Sequence, residues 1–173
     1  MALSTVTKNL NDGSIQLSDG TGSPVTLWVT ATIGDFSIDD IRAASGITSQ
    51  QNEVTAYEAR GRLDGVRHTT RIYPTGSFTA HLKQWHSASA GEVLNFIRKA
   101  DPYASNASTL GANADVYTLK VTLVVEGTDH GDDADSTIVL DDCHCTASVA
   151  EGDPNTVTIS FTCYGAITYT GTS

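Results

Sequence analysis

Cys143, His144 and Cys145 form the densest run of metal-ligating side chains in the chain. Structural zinc takes four such ligands, supplied in spaced pairs whose lone pairs converge on one point. In a strand, alternation puts Cys143 and Cys145 on one face and His144 on the other, so the three do not converge without a bulge. The cysteines read instead as small buried hydrophobes, with Cys163 beside them on the apolar face of its own strand. Asp129, Asp132, Asp133 and Asp135 crowd carboxylates into "EGTDHGDDADS" (126–136). That run lacks the glycine and the terminal glutamate of a calcium-binding EF-hand loop, and reads as a charged hairpin tip that discourages aggregation through strand edges. "GTGSP" (20–24) is glycine-rich. It has no Lys-Ser/Thr and leads into a strand rather than a helix, so turn chemistry accounts for it better than phosphate binding.

Nucleophilic catalysis has no foothold either. A G-x-S-x-G elbow is missing, and the five histidines are scattered. His81 and His86 flank Trp85 in a stretch that reads as a polar collar before a helix, and no carboxylate pair stands out for acid–base work. The expectation is a protein without catalytic residues, cofactor or metal.

The elements that carry these residues are mostly strands. Ser14 to Leu17 and Val25 to Ile33 flank the turn-rich "SDGTGSP", typical hairpin chemistry. In the second run, Val25, Leu27, Val29, Ala31 and Ile33 alternate with Thr26, Trp28, Thr30 and Thr32, which leaves Trp28 on an outward threonine face. A long loop follows, about 37–52, with a helical turn at Asp39 to Ala44. "EVTAYEARGRLDGVRHTT" (53–70) reads as a strand pair or a bent strand broken by Gly61 and Gly65. Phe78, Ala80 and Leu82 then share a strand face.

One helix is expected, about 87–100. Ser89 and Glu92 form a capping box, Val93, Leu94 and Ile97 an apolar face, and Asp101-Pro102 the stop. The C-terminal third returns to alternation: Leu119, Val121, Leu123 and Val125; Val139, Cys143, Cys145, Ala147 and Val149, interrupted by Asp141; and Val157, Ile159, Phe161 and Cys163. The pattern predicts a mainly β domain, an antiparallel sandwich or barrel with one packed helix.

The chain has 173 residues, enough for one domain with a sizeable core. No apolar run is long enough to cross a membrane, and residues 1–14 lack the features of a signal peptide, so synthesis and retention in a cytoplasm are expected, with no membrane insertion. An odd count of three cysteines is a poor start for a disulfide framework. Net charge is −10 and unevenly spread. Residues 51–101 carry seven bases and five acids, whereas residues 102–173 carry ten acids and one base. A sequence pI of about 4.6 argues against tight DNA binding. A basic middle and an acidic end can instead complement each other between neighbouring copies, and unpaired sheet edges invite a head-to-tail contact that closes a ring or builds a filament.

The order of features resembles the major tail tube proteins of long-tailed bacteriophages, siphovirus-like ones included. Four pieces carry the likeness over nearly the whole chain: "MALSTVTKNLNDGSIQLSDGTGSPVTLWVT" followed by "IGDFSI", the long loop to Gln51, "YEARGRLDGVRHTTRIYPTGSFTAHL", and a single helix before the long terminal strands. None is a catalytic signature; their combination and order make the resemblance. It implies one tail tube domain over 1–173, with an N-terminal arm at about 1–12 and an inter-ring loop at about 37–52. It further implies six copies per ring, rings stacked into a hollow tube around a tape-measure protein, tail terminator and distal tail proteins as partners, and a virion component assembled in the host cytoplasm. DNA would pass through without specific binding.

Combined with the charge pattern, this picture makes Trp28, Asp39, Asp40, Ile41, Arg42, Ile47, Arg60, Arg62 and Arg67 candidate subunit contacts. Asp129, Asp132, Asp133 and Asp135 become candidate lumen or inter-subunit acids. Contractile tail tubes and type VI secretion tubes share the architecture. The rival is a carbohydrate- or receptor-binding β-sandwich module in which Trp28, Trp85 and Tyr117 serve as stacking platforms.

Overall fold

The computed structural model describes residues 13–29, 37–38, 51–81, 93–125, 136–153 and 155–170. Ten strands and one helix fall in these segments: β1 (Gly13–Ser18), β2 (Thr26–Val29), β3 (Ser37–Ile38), β4 (Gln51–Ala59), β5 (Arg62–Ile72), β6 (Thr75–His81), α1 (Val93–Arg98), β7 (Leu119–Val125), β8 (Ser136–Ala150), β9 (Thr156–Cys163) and β10 (Ile167–Thr170). Eight strands make one antiparallel sheet in the order β2-β1-β7-β8-β9-β6-β3, with β10 also on β8; among the described residues β4 and β5 pair only with each other. The domain is therefore mainly β with one short helix. Among the described residues β2 and β3 end the sheet without meeting, so it is not a closed barrel.

Alternation builds the core. Ile15 and Leu17 of β1, Leu119, Val121 and Leu123 of β7, Phe78 and Ala80 of β6, and Val157, Ile159, Phe161 and Cys163 of β9 are all buried in one cluster. β1 and β6, each one strand in from an end of the order, share that cluster, so the sheet curls around its inner face. Phe78 and Phe161, neighbours across β6 and β9, lie 6.4 Å apart between ring centroids.

The helix is described over Val93–Arg98 and lies against β8 and β2. Ser89 and Glu92, the expected capping box, lie outside the described residues. The apolar face also differs in detail: Phe96 is fully buried against Tyr103, a residue the face of Val93, Leu94 and Ile97 leaves out. At the C-terminal end Lys99 takes φ 53, its N–H bonds the Phe96 carbonyl, and the Ala100 N–H bonds that of Asn95 at 2.9 Å. These are the bonds of a Schellman cap, in which glycine is usual at the left-handed position.

β8 departs from simple alternation. Across β7, Leu119 faces Cys143 while Val121 faces Leu140, so β8 carries one extra residue there, and Asp142 takes φ 54. This is a β-bulge, and aspartate tolerates the left-handed region better than most residues. The bulge reverses the phase. Ile138 and Leu140 are buried before it, Cys143 and Cys145 after it. Val139 therefore does not share the face of the cysteines, and Val149, opposite the buried Val157, is exposed. On the other edge of β8, β9 ends opposite Cys143 and β10 begins opposite Leu140. The turn between them clasps the bulge: Gly165 N–H to Asp141 O at 3.1 Å, Tyr164 N–H to Asp142 O at 3.2 Å, and Asp141 N–H to Ala166 O at 2.9 Å.

Candidate subunit interface

The cysteines come together as core residues. Cys143 and Cys163 sit opposite each other, Cys145 follows on the same face, and all three are free and buried. The Cys163 thiol donates to the Asp141 carbonyl at 3.2 Å. Its hydrogen bond with Cys143 raises the Cys143 thiol above its usual range, burial adding to the effect, and lowers Cys163. Burial, with Cys163 beside it, pushes the Cys145 thiol up to about 12. His144 faces outward, across from Thr162, and among the described residues no three His, Cys, Asp or Glu side chains are placed to hold a metal ion.

The raised Cys145 thiol has a consequence for stability. The unfolded chain ionises it near 9, the folded chain near 12, so between these values the unfolded state binds fewer protons. Its neutral burial contributes fully below the unfolded value and is lost as pH rises, by about 1.4 kcal/mol per pH unit. Urea titrations of wild type and Cys145→Ala should therefore converge at high pH, the gap between them shrinking by about 2 kcal/mol from about pH 7.5 to about pH 10.5. A constant gap would show that the thiol ionises normally in the fold.

On the outer face of the sheet, Thr75, Ser77, His144, Thr146, Ser160 and Thr162 line a shallow depression of about 310 Å³. Hydroxyls dominate it. Tyr117, a candidate stacking platform, packs against the core, accepts a hydrogen bond from Asn106 Nδ2 at 3.4 Å, and has the Lys99 ammonium 5.6 Å from its ring centroid. It does not stand free for a sugar. Trp85 lies outside the described residues. The register places Trp28 across from Gln16, the strand position between core residues Ile15 and Leu17, on a strand that ends the sheet.

The feature that most needs a partner is the β4–β5 ribbon. Arg60 and Gly61 take φ 53 and 76, both positive as a type I′ turn requires, and join strands of nine and eleven residues. Register steps from Tyr57–Gly65 to Glu58–Leu63, so Asp64 is an extra residue in β5. Pairing then sorts the side chains. Thr55, Tyr57, Arg62 and Arg67 share one face, where the Arg67 guanidinium lies 5.9 Å from the Tyr57 ring centroid. Ala56, Glu58, Leu63 and Val66 share the other. Tyr57, Leu63 and Val66 are 48%, 65% and 55% exposed. A two-stranded ribbon is at best marginally stable in water, and this one leaves apolar groups on both faces uncovered.

Of the expected contact residues, the ribbon gathers Arg60, Arg62 and Arg67. Asp39, Asp40, Ile41, Arg42 and Ile47 lie outside the described residues, as do Asp129, Asp132, Asp133 and Asp135. Sequence reasoning missed Leu63 and Val66. Their spacing of three breaks strand alternation, and only the extra residue Asp64 puts them on one face.

No family model and no curated protein matches this sequence. Among solved structures, the chain is similar to a chain in the cryo-EM structure of the anti-feeding prophage (AFP) baseplate, 6-fold symmetrised. The two are 11% identical with a TM-score of 0.48, over 99% of this chain and 98% of that one.

Proposed function

We propose that this chain is a structural subunit of a bacteriophage tail tube, without catalytic role. Copies assemble head-to-tail into rings, six per ring by the family resemblance, and the rings stack into a hollow conduit around a tape-measure protein. The observation that carries the reading is the exposed β4–β5 ribbon, with uncovered Tyr57, Leu63 and Val66 on a chain whose large sheet already has its own core. A ribbon so built is useful when another copy covers it. The acidic balance suits a conduit, because negative walls repel phosphates and keep DNA mobile.

Negative-stain microscopy and sedimentation of the purified chain test this. Rings or tubes that grow with concentration are expected. Uniform monomers at high concentration, above all with measurable glycan binding, would replace the tube by the carbohydrate-binding module.

A further inference from the structure

Where the 19–24 turn, Thr109, the start of β7 and the β8 bulge meet, the surface sinks into a depression of about 480 Å³. Its wall carries Asp19, Asp141, Asp142 and a single cation, Lys120. Lys120 is committed to Asp141 Oδ1 at 3.2 Å. Asp19 is only 3% exposed. Its Oδ1 accepts the Val25 N–H at 2.7 Å and the Thr21 hydroxyl at 2.9 Å, while its Oδ2 is buried and has no hydrogen-bond partner among the described residues. A buried carboxylate oxygen with no donor is costly, and the cost disappears when a donor arrives from outside.

We propose that this depression receives the tip of the β4–β5 ribbon of a second copy, with Arg60 or Arg62 of that copy paired to Asp19 and Asp142. The inference rests on the self-assembly reading above and names the contact. A guanidinium presents several donors in a planar fork and can serve separated carboxylates at once. A bare metal ion fits less well beside the Lys120 ammonium, and no metal-ligand cluster exists among the described residues. The tip is the narrowest part of the ribbon, two residues wide, with exposed arginines on both sides of Gly61. Arg60 holds a left-handed φ of 53, where asparagine or glycine is ordinary, so the turn keeps a long cationic side chain against backbone strain. Tip and depression are different patches, so the contact is heterologous and repeats from copy to copy.

Asp19→Asn with Asp142→Asn tests the contact with little change of shape. Asparagine can still accept the Val25 N–H at the first position and tolerates the left-handed backbone at the second. Sedimentation should show self-association weakened by about 10- to 100-fold, as for other desolvated charge pairs. R60E/R62E should show the same loss, and mixing the two variants should restore pairwise association, since one supplies the tip and the other the depression. A second measurement stands if the aspartate variants misfold. In the R60K/R62K chain, carbodiimide should link position 60 or 62 to Asp19, Asp141 or Asp142, and mixed isotope-labelled copies should show the link between chains. Links from position 60 or 62 that stay within one chain, or that reach other acids, overturn the contact; a Lys120–Asp141 link within one chain is expected in any case. So does wild-type assembly of the D19N/D142N chain, which leaves the self-assembly reading in place. A wild-type chain that never associates removes both.

Discussion

Gly20→Ala is expected to destabilise the folded subunit by about 3 kcal/mol or more, at the upper end of what overpacking costs. A Cβ at Gly20 would lie 2.1 Å from the Ser108 carbonyl oxygen, 2.5 Å from its carbon and 2.7 Å from the Thr109 nitrogen. All three are backbone atoms, so no side chain can swing aside. The wall itself is pinned. The Ser108 hydroxyl donates to the Val116 carbonyl at 2.8 Å and accepts the Thr118 N–H at 3.0 Å. That leaves the Thr118 hydroxyl to donate to Ser108 and the Thr109 hydroxyl to donate to Thr118, each at 2.8 Å. Ser108 and Thr118 are buried, so moving the wall breaks a chain of buried hydrogen bonds whose members depend on one another. Gly20 also donates its N–H to Ala107 O at 2.9 Å, which fixes the close approach from its own side. Gly22 is the control: a Cβ there meets nothing within 4 Å, and Gly22→Ala should change stability by no more than about 0.5 kcal/mol. Urea midpoints of the two variants measure the contrast. Equal midpoints would mean that the 106–110 segment yields, and that the depression next to it is not rigid.

Most of the fold was legible because burial follows alternation. β1, β7 and β9 each bury the residues that a period of two selects, and the cysteines fall into the core for the same reason. What escaped reading came from single extra residues. The bulge at Asp141–Asp142 shifts the phase within one strand, so Val139 was grouped with Cys143, yet Leu140 is the one that is buried. Asp64 does the same in β5 and hides the Leu63–Val66 pair. A bulge carries no strong sequence mark, since it is set by how two strands and a turn meet; here the turn packs so closely that a Cβ at Gly165 would lie 2.7 Å from the Asp141 carbonyl. The depression was illegible for a related reason. Asp19, Lys120 and Asp142 lie far apart in sequence, and only the sheet order brings them to one wall. The arginines of the ribbon were legible as a basic stretch, because charge needs no register to be counted.

Leu63→Ser combined with Val66→Ser should abolish assembly while leaving the subunit as stable as wild type. The two effects separate because, among the described residues, the ribbon pairs only with itself, and both side chains stand more than half exposed, so their removal opens no cavity in the core. A subunit stability change within about 0.5 kcal/mol is expected on that ground. On the proposed function, the same side chains become covered in an assembled copy. Leu63 and Val66 are 65% and 55% exposed in the subunit, so covering them gains roughly 60% of the about 1.5–3 kcal/mol that full burial of each contributes, and losing both removes about 2–3.5 kcal/mol per contact, on the order of 30- to 400-fold in affinity. Repeated at every subunit, that loss moves assembly out of the reach of ordinary protein concentrations. Salt distinguishes this face from the arginine tip. Apolar burial is not screened, so the defect of the serine variant should persist at every ionic strength, whereas contacts of Arg60 and Arg62 should weaken as salt rises. Tubes of normal length from the serine variant would mean that the apolar face stays in water, and that the ribbon meets its neighbour through the face of Tyr57 and Arg67 instead.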